Sequence, residues 1–188
     1  EPHRPKAISL PPGMAPRFAQ AVDELIRDCQ RDIPKVFESE EYQEKKSRIM
    51  RELQVQRDAI SHELQQLAAQ RGFALEATQM GLVTVPLING QPASREAFEA
   101  LPDDVKERIE AAGQELREEV GQAMARGRKL EKEAAEGMRQ LDREIALSAV
   151  GNLLDELDQT YGEYPALAEY LRDVQNDILE HLDDFRGL

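Results

Sequence analysis

Gly72-Phe73-Ala74-Leu75-Glu76-Ala77-Thr78-Gln79-Met80-Gly81-Leu82-Val83-Thr84-Val85-Pro86-Leu87-Ile88-Asn89-Gly90 breaks the pattern of the chain around it. Phe73, Leu75 and Ala77 alternate with Ala74, Glu76 and Thr78, and residues 82 to 88 carry the β-branched and apolar side chains of a strand. Met80-Gly81 separates the two runs. Asn89-Gly90 is the strongest hairpin signal in the chain, because both positions tolerate positive φ. Pro86 predicts that its strand lies on a sheet edge, since proline donates no ladder hydrogen bond.

On both sides the period returns to that of a helix. Residues 40 to 71 contain no Gly or Pro, and Tyr42, Ile49, Leu53, Ile60, Leu64 and Leu67 recur mostly three, four or seven apart after an N-cap at Ser39. At 1.5 Å per residue this helix is about 48 Å long. Downstream, Ser94 caps a short helix ending near Leu101, and Pro102-Asp103-Asp104 supplies the proline and acids of a first turn. A long stripe follows, through Val105, Ile109, Ala112, Leu116, Val120, Ala123, Leu130, Ala134, Met138, Leu141 and Ile145. Glycines interrupt it, each costing a helix about 1 kcal/mol relative to alanine, and a kink or break is expected at Gly127. Tyr161-Gly162-Glu163-Tyr164-Pro165 ends the helix, and a last helix runs to about Phe185.

Upstream, Pro5 to Leu10 is extended, Pro11-Pro12-Gly13 forms a turn, and a helix begins at Met14 with Phe18, Val22, Leu25, Ile26 and Cys29 on one face. Pro34 is expected to end or bend it. The fold class is therefore mainly α: a long antiparallel helical coiled-coil arm with a small β-hairpin or meander at its tip and a helical bundle base. The expected segments are residues 1–38 as extended segment and base helix, 39–161 as arm with the hairpin at 73–93, and 162–188 as C-terminal base helix, together one inserted domain.

Composition agrees: of 188 residues, 40% are hydrophobic and 5% aromatic, with no Trp, a balance that suits long helices better than a β-barrel. A net charge of -13 without a sustained basic run argues against a nucleic-acid footprint. No stretch approaches the roughly 20 apolar residues of a membrane span, and the opening Glu1-Pro2-His3-Arg4-Pro5 lacks both Met and a signal-peptide core, as expected of a segment from inside a longer cytoplasmic protein. A single cysteine rules out an internal disulfide.

Catalytic motifs are missing from the sequence: there is no phosphate-binding loop, no Gly-x-Ser-x-Gly and no His-Glu-x-x-His. Catalytic, cofactor and metal residues are thus expected to be none. His181 with its acidic neighbours, and the pair Asp155 and Asp158, read as solvated helix faces, and Cys29 as a core residue. The basic cluster Arg126, Arg128 and Lys129 is either solvated or faces a neighbouring subunit's acidic surface. Contact with unfolded polypeptide is expected at Met80, Leu82, Val83 and Val85; the competing reading packs Met80 and Leu82 onto the helices.

Pro2-His3-Arg4-Pro5-Lys6-Ala7, Leu10-Pro11-Pro12-Gly13 and Ile33-Pro34-Lys35-Val36-Phe37-Glu38-Ser39-Glu40-Glu41-Tyr42 resemble a stretch of the Lon-like proteases of LonC type. Thr78-Gln79-Met80-Gly81-Leu82, Ala149-Val150-Gly151 and Asp177-Ile178-Leu179-Glu180-His181-Leu182-Asp183-Asp184-Phe185 are similar to later landmarks of that region. Pro12 departs from the family, which tends to have Ala there. The resemblance implies a helical insert of an ATP-dependent protease, lying between the Walker A and Walker B parts of its ATPase. The implied parent is a homo-hexamer with an AAA+ module and a Ser-Lys peptidase, so the partners are those domains and unfolded or damaged polypeptide. No cofactor belongs to these residues; ATP and Mg would be the parent's. Two roles follow as expectations, substrate recognition or gating, or a structural oligomerisation domain without substrate contact; independently of any family, the long helix also allows a coiled-coil adaptor that dimerises through it.

Overall fold

The computed structural model describes residues 7–79 and 81–186. It is mainly helical, with one small antiparallel sheet. In chain order the elements are α1 (Met14–Glu38), α2 (Glu40–Gln70), β1 (Phe73–Thr78), β2 (Gly81–Ile88), β3 (Gln91–Pro92), α3 (Arg95–Glu99), α4 (Asp103–Tyr161), α5 (Pro165–Glu180) and α6 (Leu182–Arg186). The chain divides into two compact units, one formed by residues up to Arg48 and from Gly137 onward, the other by Ile49–Glu136.

The Ile49–Glu136 unit holds the sheet. Gly72, at φ +78, stops α2 and turns the chain into β1. β1 pairs antiparallel with β2 in the register Phe73↔Pro86, Leu75↔Thr84 and Ala77↔Leu82. Asn89 (φ 54) and Gly90 (φ 79) take the two left-handed positions of a tight hairpin, which sets Ile88 opposite Gln91. Ser94 Oγ then accepts from the Ala97 amide at 3.1 Å to start α3. The core of this unit is Leu64 and Ala68 of α2, Phe73 of β1, and Leu116, Val120 and Ala123 of α4, with Leu75 and Leu82 packed against it. Ion pairs Arg57–Glu131, Glu63–Arg126 and Arg71–Glu119 ascend one helix as they descend the other, so α2 and α4 run antiparallel here. Farther from the sheet, Ile49, Leu53, Leu130 and Ala134 are only half-buried, because two helices alone can cover a single stripe of each other.

In the other unit the buried side chains include Phe18, Leu25, Cys29, Ile33 and Phe37 of α1, Leu141, Ala146, Val150 and Leu154 of α4, and Leu167, Leu171, Ile178 and Leu179 of α5. The Phe18 ring meets Tyr161 and Tyr170 edge-on, with centroids at 5.1 and 5.7 Å. At the α1–α2 junction Ser39 Oγ accepts from the Tyr42 amide, and Phe37 meets Tyr42 at 88°. Tyr42 donates to Asp142 Oδ1 at 2.8 Å, and Arg186 of α6 donates to Asp142 Oδ2 at 2.7 Å while lying 3.9 Å from the Phe37 ring centroid.

Four expectations are corrected. Pro34 does not end α1; the helix runs on to Glu38, with Ile33 and Phe37 on either side of the ring both buried. α4 does not break at Gly127: the helix is continuous from Asp103 to Tyr161, because glycine weakens a helix without forbidding it. β2 is the central strand, not an edge. Pro86 is tolerated there because its nitrogen faces β3 where that short ladder ends; its carbonyl still accepts from the Ala93 amide at 2.8 Å. Finally, the last helix breaks at His181 (φ -112, ψ 34), which separates α5 from α6.

Candidate functional site

Strand alternation divides the residues singled out in the hairpin. Phe73, Leu75 and Ala77 of β1 share one face with Leu82, Thr84 and Pro86 of β2, and this face covers the α2–α4 core. Leu82 is half-buried there. The opposite face carries Ala74 beside Val85 and Glu76 beside Val83, with Leu87 next along β2. Val83 is 43% exposed, and Val85 is half-buried. The sheet thus places Val83 and Val85 together on its outer surface and turns Leu82 the other way. Met80 lies outside the described residues.

Beside the inner face is a groove of about 560 Å³. Its floor is Ile60 and Leu64 of α2, Leu82 of β2, and Ala123, Met124 and Gly127 of α4. Met124 is 45% exposed although it borders this apolar floor. Arg57, Arg128 and Glu131 stand at the rim, with Arg57 3.5 Å from Glu131. Arg126 and Lys129 pair with Glu63 and Glu133, whereas Arg128 makes no ion pair among the described residues. Sequence periodicity passes over this groove, because Met124 falls off the core stripe and Gly127 reads as a weak point of the helix. The signal that could have found it is their i, i+3 spacing, which sets both on one side of α4.

Cys29 is fully buried, and burial, helped by the carboxylates of Asp28 and Asp32, pushes its thiol up to about 11, so it is neutral at physiological pH. Asp32 itself is held well below the usual carboxylate range by hydrogen bonds from Arg31 and Lys35. His181 is raised by its hydrogen bond to the Asp177 carbonyl and by the Asp177 carboxylate. Asp155 and Asp158 are exposed beside a buried Leu154. No group of three or more His, Cys, Asp or Glu among the described residues is placed to hold a metal. No helix among them is long and apolar enough to cross a membrane.

Residues 1–25 match the family model of the Lon-like LonC helical domain. Within the described residues that match covers the turn at Pro11-Pro12-Gly13 and the first half of α1. No curated protein matches the chain.

Proposed function

We propose that this chain is a non-catalytic helical domain of a Lon-type ATP-dependent serine protease and that its sheet meets unfolded polypeptide during substrate recognition or gating. The likeness of residues 1–25 to the LonC helical domain supports the class of parent. The observation that carries the contact is the outward pair Val83 and Val85, apolar side chains on the surface of a sheet that connects two helices. In this reading residues 39–161 form a coiled-coil arm with the hairpin (73–93) at its tip, while 1–38 and 162–188 form its base. Six copies surround a cytoplasmic chamber whose AAA+ and Ser-Lys domains lie elsewhere in the parent, and any ATP and Mg are bound there. Met80 is part of the same proposed contact, because an unbranched thioether adapts to varied apolar partners.

Binding of the 188-residue chain to a permanently unfolded model protein tests this. Saturable binding that a Val83→Asp, Val85→Asp variant weakens at least about tenfold, with helical content unchanged, supports the reading; equal binding by that variant sinks it.

A structural role is favoured by a different observation. Met50 (51% exposed) and Val55 (63% exposed) leave apolar side chains on α2 away from the sheet. If they pack between subunits, Val55→Asp changes the assembly state in sedimentation while polypeptide binding is retained.

A further inference from the structure

We infer that the groove between the sheet, α2 and α4 is a side-chain pocket for an extended polypeptide, selecting a large apolar residue with a carboxylate close by. This deepens the polypeptide-binding reading above and rests on it. The volume of about 560 Å³ is of the size that holds small ligands, and the floor of Ile60, Leu64, Leu82 and Ala123 is apolar. Met124 borders it with an adaptable, partly exposed thioether.

Gly127 gives the groove its opening. A glycine in a helix interior costs about 1 kcal/mol relative to alanine, and this one is half-buried without being crowded. Beyond the backbone of its own helix and its chain neighbours, no atom lies within 4 Å of where its Cβ would stand; Gly121 and Gly151 are equally open, but of the three only Gly127 lines this groove. Gly113 differs: a Cβ there would come 3.2 Å from the Phe73 ring, so packing inside the fold explains that glycine. At Gly127 the space that a side chain would fill belongs to the groove.

Charge selects the occupant. On a chain of net charge -13 the mouth of this groove carries two arginines against one glutamate. Glu131 lies beside Arg57, which leaves the Arg128 guanidinium without an acidic partner among the described residues. A carboxylate next to an inserted apolar side chain would supply that partner.

The test uses the full 188-residue chain and fluorescent ten-residue peptides, otherwise Gly and Ser, that carry Phe-Asp, Phe-Asn, Phe-Lys or Ala-Asp at their centre. The Phe-Asp peptide is expected to bind at least about tenfold more tightly than the other three. Gly127→Met, which fills the groove with a better helix former, is expected to abolish that preference. Arg128→Glu, a surface change that leaves the core intact, is expected to reverse it in favour of Phe-Lys. Unchanged peptide affinities in both folded variants overturn the inference. If unfolded protein still binds and still depends on Val83 and Val85 while the groove variants have no effect, the groove falls and the sheet contact stands. If no polypeptide binds, both fall.

Discussion

Two glycines of α4, fourteen residues apart, are expected to respond oppositely to the same substitution. Gly113→Ala improves helix propensity but drives a methyl group against the Phe73 ring, 3.2 Å away, and is expected to destabilise the chain by about 1 kcal/mol. Gly127→Ala meets nothing and is expected to stabilise it by about 1 kcal/mol, with urea midpoints reporting both. At Cys29 the buried, protonated thiol predicts slow chemistry: at pH 8 a soluble disulfide reagent should react on the order of a hundredfold more slowly with the folded chain than with the chain in denaturant. Equal rates would mean that α1 opens readily.

Among the elements, α1 carries a proline inside its helix at Pro34. Pro34→Ala restores a backbone donor toward Gln30, and the entropy that proline removes from the unfolded chain offsets part of the gain. A net stabilisation of about 2 kcal/mol is expected in urea unfolding, and a loss would show that the ring itself is a needed packing contact. Much of this level was legible in the sequence. The switch from helical to alternating period at Gly72, the Asn89-Gly90 turn, and the caps at Ser39 and Ser94 act through neighbours within a few residues, and the structure has all four. The fate of Pro34 was not legible, because burial of Ile33 and Phe37 outweighs a local preference and that burial depends on the rest of the unit.

For the molecule as a whole, the contact among Tyr42, Asp142 and Arg186 joins residues up to 144 positions apart. Asp142 and Arg186 are about one-fifth exposed, so the pair is only partly screened by solvent. Asp142→Asn keeps the shape but removes the charge and replaces one of the two accepting oxygens with a donor, so one of the bonds from Tyr42 and Arg186 loses its acceptor, and a loss of about 1–2 kcal/mol is expected in thermal or urea unfolding. The same variant should lower the titration of the Tyr42 phenol, which is raised first by burial and then by the hydrogen bond to Asp142 and its charge. Because the folded value is raised, stability contributed by the neutral phenol is fully present below about pH 10 and is lost as pH climbs through the folded value. Ultraviolet titration of the phenol in the two chains measures the shift, and identical curves would show that Asp142 does not act on it.

The sequence by itself determined most of the elements, the Asn89-Gly90 turn and the absence of any familiar catalytic motif, since these depend on local backbone preference and on which side chains are present at all, but not the start of β2 at Gly81 or the break at His181. It also placed Cys29 in the core, because a helical stripe specifies its own apolar face. Only the tertiary structure decided which way each hairpin residue points. Pairing on both sides makes β2 central, and the register turns Leu82 toward Leu64 and Ala123 while Val83 and Val85 face outward. The groove at Gly127 belongs to the same level, because its walls come from residues on α2, β2 and α4 that only long-range packing brings together.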